Sequence, residues 1–176
     1  MNEYCIDTCD LKKYSEILNC GDKVYLSGII YTARDAAHAR LCNLMKNNIQ
    51  LPFTLKNSVI YYAGPTPQKP GGQLGSFGPT TSARMDKFSP EMLDAGLCAM
   101  IGKGNRSQEV IEAIVRNSAF YFCAEGGMGA LISRSIISSE EIAFADLGPE
   151  SIKKLEVKNF PVITAIDSKG NSIFDR

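Results

Sequence analysis

Short runs of β-branched and aromatic residues alternate along this chain with segments in which apolar residues recur every three or four positions. This switching between two hydrophobic periods restricts the fold more than any other feature. The first run, residues 23–31, carries Val24, Leu26 and Ile29-Ile30-Tyr31 behind Gly21-Asp22 and reads as a strand. From Arg34 to about Asn47, Ala37, Leu41, Leu44 and Met45 form one apolar stripe, so a helix follows. Thr32 is its expected N-cap, and Arg34 and His38 share a face near its start. Residues 58–63, 97–101, 119–124 and 141–147 read as further strands. Ser89-Pro90-Glu91 opens a short helix that stops at Gly96, and Ser107 caps a helix to about Asn117 with Val110, Ile111, Ile114 and Val115 inward. Pro149 opens one more small helix. The tail reads as strands at 155–157 and 161–166 with a hairpin turn over Asp167-Ser168-Lys169-Gly170-Asn171. Such alternation predicts an α/β fold, and the closing hairpin makes its sheet mixed rather than all-parallel.

A chain of 176 residues, 44% of them hydrophobic, suits one globular core. Residues 1–20, ahead of the first patterned run, are expected to be an N-terminal extension, with the domain at 21–176. Nineteen basic and nineteen acidic side chains leave no net charge, which argues against nucleic acid or an anionic membrane as partner. No run of about 18 apolar residues and no leader-like start are found, so the expected location is the cytoplasm. Cys5, Cys9, Cys20, Cys42, Cys98 and Cys123 include no Cys-x-x-Cys pair. They read as thiols inside apolar segments, and no metal site is expected on this chain.

Three segments each place a cation or hydroxyl at a helix start or in a glycine loop: Thr32-Ala33-Arg34-Asp35-Ala36-Ala37-His38, Gly78-Pro79-Thr80-Thr81-Ser82-Ala83-Arg84 and Gly102-Lys103-Gly104. Arginine grips a carboxylate with a two-point fork and lysine supplies a point charge, so the three together suit a dicarboxylic acid if they converge. Taken singly, each arginine also reads as half of an ion pair with Asp35 or Asp86, Thr80 and Thr81 as helix caps, and His38 as a structural hydrogen-bond partner. Gly102-Lys103-Gly104-Asn105-Arg106-Ser107 lacks the third glycine of a dinucleotide loop and is open to a tight turn or a smaller anion. Residues 64–79, rich in Gly and Pro between two patterned elements, read as a functional loop.

Several runs, in this order, resemble the C-terminal or β-subunit part of the class I, iron–sulfur-dependent fumarate hydratases and the related L-tartrate dehydratases. They are Gly28-Ile29-Ile30-Tyr31-Thr32-Ala33-Arg34-Asp35-Ala36-Ala37-His38, Ile60-Tyr61-Tyr62-Ala63-Gly64-Pro65, Gly78-Pro79-Thr80-Thr81-Ser82-Ala83-Arg84-Met85-Asp86, Met100-Ile101-Gly102-Lys103-Gly104, Leu147-Gly148-Pro149-Glu150 and Leu155-Glu156-Val157-Lys158-Asn159-Phe160-Pro161. The resemblance covers about residues 22–166. It implies a swivelling β/β/α domain that closes on an α subunit, which holds a [4Fe–4S] cluster through its own cysteines and leaves one iron open to substrate. By the same resemblance Arg34, Arg84 and Lys103 bind substrate carboxylates and Thr80 is the base for the C3 proton, with Thr81, Asp35 and His38 supporting them. The implied reaction is reversible hydration of fumarate to (S)-malate. The alternatives are dehydration of L(+)-tartrate to oxaloacetate and, from another class, a non-catalytic dicarboxylate-binding or regulatory module. An α2β2 assembly and ordering of the 64–79 loop by partner or substrate are further expectations.

Overall fold

The computed structural model describes residues 1–66, 70–71, 75–124 and 129–175, with only the backbone of 129–131. In chain order the elements are β1 (Glu3–Asp7), β2 (Lys23–Thr32), α1 (Asp35–Lys46), β3 (Val59–Tyr61), α2 (Ser89–Asp94), β4 (Ala99–Gly102), α3 (Gln108–Arg116), β5 (Phe120–Cys123), α4 (Gly129–Ser135), β6 (Ile136–Ala143) and β7 (Ile152–Ile166). Turns of 3-10 helix lie at Thr8–Tyr14, Ser82–Met85 and Ala145–Glu150.

Strands β1 to β5 are parallel neighbours in sequence order. The long strand β7 runs antiparallel to β2 along one edge and to β5 and β6 along the other. Because β7 joins both β2 and β5, the strands β2-β3-β4-β5-β7 close into a barrel-like ring, with β1 and β6 as outlying strands. The sheet is therefore mixed, as expected, but β7 rather than a terminal hairpin makes it so. Residues 152–166 form one continuous strand, and the 167–171 turn leads only to an isolated Ile166/Ser172 bridge.

The two-residue period sorts the strands between two cores. Val59 and Tyr61 of β3, Ala99 and Ile101 of β4, and Phe120 and Phe122 of β5 enter one cluster. Their alternates Ile60, Met100 and Tyr121 enter the other, with Leu41 of α1, Met92 and Leu93 of α2, and Val110, Ala113 and Ile114 of α3. The helical stripe on α3 thus runs 110, 113, 114, and Val115, expected inward, is 43% exposed because the next residue round the helix turns away. The strand expected at 141–147 begins earlier, as β6, and gives way to 3-10 helix at Ala145, with Pro149 inside that turn.

Residues 1–20, expected as an extension, supply β1, which pairs with β2 from Glu3↔Lys23 to Asp7↔Ser27. They also supply Leu11 and Leu18, both fully buried in the first cluster. Only Ile6 of β1 is buried, so this edge strand carries little of the apolar pattern that marks the inner strands. No described helix is long and apolar enough to cross a membrane.

Candidate functional site

Strands β2, β3 and β4 are parallel neighbours, so their carboxyl ends at Thr32, Tyr61 and Gly102 lie side by side. The carboxyl edge of parallel strands is where loops are free to form a ligand site. Here the three cation-bearing segments leave the sheet. Ala33 N–H donates to Tyr61 O at 3.1 Å, and Tyr62 N–H to Ile101 O at 2.8 Å. The chain returning from the 64–79 loop is then laid across these ends. Ala63 bridges Pro79, Thr81 bridges Lys103, Thr80 N–H donates to Tyr62 O at 2.7 Å and Ser82 N–H to Lys103 O at 2.9 Å. Within the loop, Thr66 N–H donates to Ser76 O at 3.1 Å, while residues 67–69 and 72–74 lie outside the described residues.

Convergence of the backbones brings Arg84 against the first turn of α1. Arg84, 54% exposed, donates from Nε at 2.8 Å to one oxygen of Asp35, which stands in the first turn of α1, and its Nη2 lies 2.7 Å from the same oxygen as an ion pair. The other oxygen, Asp35 Oδ1, is buried without a hydrogen-bond partner among the described residues. Arg34 occupies the N-cap of α1 with no side-chain cap bond, so Thr32 does not play that part. Thr32 is instead buried, its hydroxyl accepting from Lys153 N–H at 3.1 Å. Arg34 Nε lies 3.3 Å from Glu150 Oε1, at ion-pair distance but out of hydrogen-bond geometry, and is buried without a hydrogen bond among the described residues. Its guanidinium crosses Gly64, where a Cβ would come within 2.9 Å of Nη1 and push the Arg34 side chain aside.

Lys103 is exposed and forms no ion pair among the described residues. Thr80 is half-buried and Thr81 exposed; Thr81 stands at the N-cap of the 82–85 turn without a side-chain cap bond, so capping does not explain it. His38 is fully buried, its ring edge-on to Tyr62 and stacked on Phe88. Its Nδ1–H donates to Arg34 O at 2.8 Å, and Nε2 has no partner among the described residues. Burial pushes its pKa down to about 4, so the ring is neutral near pH 7. His38 therefore braces the backbone at Arg34.

A buried polar layer beneath these groups escaped the sequence reading. Lys103 N–H donates to Ser82 Oγ at 3.1 Å, and Tyr121 Oη lies 2.8 Å from both Ser82 Oγ and Gly104 O. A carbonyl only accepts, so the single Tyr121 proton goes to Gly104 and the Ser82 hydroxyl donates to Tyr121. Gly102 makes room for this chain, since a Cβ there would overlap Ser82 Oγ and sit 2.9 Å from Tyr62 Cδ2. Arg106 and Asp86 form an ion pair at 2.7 Å below. Asp86 is thus not the partner of Arg84, two residues away, because the turn sends the two side chains to opposite sides. An arginine is normally exposed, and nothing local in the sequence marks Arg106 as buried.

The described residues do not fit an iron–sulfur cluster. No three His, Cys, Asp or Glu side chains among them gather into a metal-binding group. No disulfide joins the six cysteines among the described residues. Burial pushes the Cys42 and Cys98 thiols up to about 11, away from the thiolate a cluster needs. What the edge offers is positive charge and hydroxyl groups suited to carboxylates.

The family model described as Fumarase C-terminus matches residues 5–176. The chain is 42% identical over 170 residues to the Putative L(+)-tartrate dehydratase subunit beta of Methanocaldococcus jannaschii, covering 93% of this chain and 87% of that one. It is 39% identical over 158 residues to Fumarate hydratase 2 of Leishmania major, covering 89% of this chain and 28% of that one. It is 34% identical over 161 residues to L(+)-tartrate dehydratase subunit beta of Escherichia coli, covering 89% of this chain and 79% of that one. The chain thus spans most of each subunit and little more than a quarter of the fumarate hydratase.

Proposed function

This chain belongs to the fumarase C-terminus family, and on that premise we propose that it is the β subunit of a two-chain hydro-lyase that adds water reversibly to fumarate to give (S)-malate. The observation that carries this reading is the convergence of Arg34, Arg84, Lys103 and the Thr80 hydroxyl at the carboxyl ends of β2, β3 and β4. A four-carbon dicarboxylate presents two anionic ends, and three cations on separate loops can hold both. Lys103 is available to one carboxylate directly. Arg84 spends its Nε–H on Asp35 and keeps its remaining N–H groups for the ligand. Arg34, backed by Glu150 and by the His38 bond to its carbonyl, supplies the third positive charge.

Addition or loss of water moves a proton at the carbon next to a carboxylate, and the negative charge that builds there is what these cations stabilise. Thr80 handles that proton. Its hydroxyl has no hydrogen-bond partner among the described residues, and His38 is buried and neutral, so the group that activates it comes from the α subunit. The iron–sulfur cluster implied by the family belongs on that α subunit, and the β chain alone is inactive. Cysteines held outside disulfides suit the reducing cytoplasm. A swivelling closure and an α2β2 assembly complete the reading.

The length match to the Escherichia coli tartrate dehydratase subunit favours a second reading, dehydration of L(+)-tartrate to oxaloacetate. Anaerobic reconstitution with a cluster-bearing α subunit, assayed with fumarate, (S)-malate and L(+)-tartrate in parallel, tests both. Interconversion of fumarate and malate is the expected result. Turnover of tartrate alone would select the second reading, and no turnover of any of the three would leave a non-catalytic dicarboxylate-binding module.

A further inference from the structure

We propose that Arg106 is a positioning residue of this site, setting from below the spacing between the Thr80–Arg84 segment and the Lys103 loop; the proposal rests on the reading of the site given above. The Arg106 side chain is fully buried. Its Nε donates to Asp86 Oδ1 at 2.7 Å and its Nη2 to Ser89 Oγ at 2.6 Å, with Tyr62 Oη at 3.4 Å. The guanidinium lies over the rings of Tyr62 at 5.3 Å and Tyr121 at 4.8 Å. Asp86 uses its second oxygen to accept from Ser107 N–H at 2.7 Å. One carboxylate thus holds both the side chain of residue 106 and the backbone of residue 107.

The placement of this clamp is what gives it a function. Asp86 lies two residues after Arg84 and Arg106 three residues after Lys103, so the ion pair ties the stems of the two segments that present the site's cations. A second rung ties their tips, through Ser82 N–H to Lys103 O and Lys103 N–H to Ser82 Oγ. Two rungs at different depths fix both distance and tilt, where the upper one alone would act as a hinge. Packing does not require an arginine here, because apolar side chains of similar volume stabilise a core as well as a buried ion pair or better. What the guanidinium adds is direction. Its planar fork bonds Asp86 and Ser89 while its faces meet two tyrosines, a geometry that a lysine ammonium cannot reproduce.

The test uses Arg106→Lys and Asp86→Asn, with Ser89→Ala as a milder variant that leaves the ion pair intact. In the free full-length chain, amide exchange at Ser82, Lys103 and Ser107 is expected to rise at least tenfold in Arg106→Lys, and less in Ser89→Ala, while the amides of β2 and β7 keep their protection. In the assembled enzyme, assayed well below the variant's melting temperature, kcat/KM for (S)-malate is expected to fall at least tenfold. In a Lys103→Ala background the same substitution is expected to add no more than threefold, since a residue that acts by placing Lys103 has little left to place. Additive losses, or exchange and kcat/KM both within twofold of the parent, would overturn the proposal. A parent enzyme inactive on fumarate, malate and tartrate would instead remove the functional reading, and the exchange measurement would still decide the clamp.

Discussion

Two arginine–aspartate pairs lie one above the other at the carboxyl edge of the sheet, and they differ in everything except chemistry. Arg84 and Asp35 sit at the rim with side chains 54% and 31% exposed, whereas Arg106 and Asp86 lie below at 0% and 16%. An exposed pair in water contributes little, so one of its partners can be exchanged for an incoming carboxylate at small cost. A buried pair has lost its water, and removing either partner strands an uncompensated charge. The same two residue types therefore serve as a grip above and as a fixture below.

The sharpest way to break this contrast is to truncate both arginines. Arg106→Ala is expected to cost about 3–5 kcal/mol of folding stability by leaving Asp86 buried and unpaired, read from denaturant midpoints. Arg84→Ala is expected to cost no more than about 1 kcal/mol of stability yet lower turnover of the assembled enzyme by about 10² to 10³, the loss typical of one transition-state donor. Equal stability losses in the two variants would erase the distinction between rim and buried layer, and near-normal turnover of Arg84→Ala would remove that residue from the site.

His38 belongs to the buried layer and can be tested through pH. The unfolded chain takes up its proton near pH 6.5 and the folded chain only near pH 4. The stabilising contribution is therefore complete above pH 6.5 and is lost as pH falls through 4. Its slope approaches about 1.4 kcal/mol per pH unit between those limits. Urea midpoints across this window should fall more steeply for the parent than for His38→Gln, and parallel curves would refute the buried neutral imidazole.

Gly102→Ala is expected to destabilise by about 1–3 kcal/mol, since the new methyl must displace the Ser82 hydroxyl or the Tyr62 ring. The Lys103 amide should then exchange faster, because Ser82 Oγ is its hydrogen-bond acceptor. The smallest effect is expected for Arg116→Ala on the outer surface of α3, where the pair with Asp94 is about half exposed at both ends. A melting temperature indistinguishable from the parent would complete the contrast with Arg106, and a drop comparable to that of Arg106→Ala would undo it.

Much of the scaffold was legible because it depends on local pattern. The alternation at 59–63 and 99–101 sends neighbouring residues to opposite cores, and the stripe through Ala37 and Leu41 faces α1 inward as read. The errors fall where a long-range pairing decides. Leu11 and Leu18 reach the core only because β1 pairs with β2, and the tail becomes one 15-residue strand only because β2, β5 and β6 all pair with it. Among the candidate site residues, the structure brings Arg34, Arg84, Lys103, Thr80, Thr81 and Asp35 to one edge and sets His38 beneath it. Asp86 looked like the neighbour of Arg84, and sequence distance misled because the intervening turn points the two apart.

From the sequence alone come the α/β alternation, the three cation-bearing segments and the absence of a net charge that would call for a polyanionic partner. The tertiary structure decided which charges face solvent and which are buried. It closed the sheet through β7, paired Arg84 with Asp35 across 49 positions, and buried Arg106 against Asp86 and two tyrosines. The physical reason is that hydrophobic period is a local property of the chain, whereas the worth of a charge depends on its distance from water and from its partner. Both distances exist only once the strands have paired.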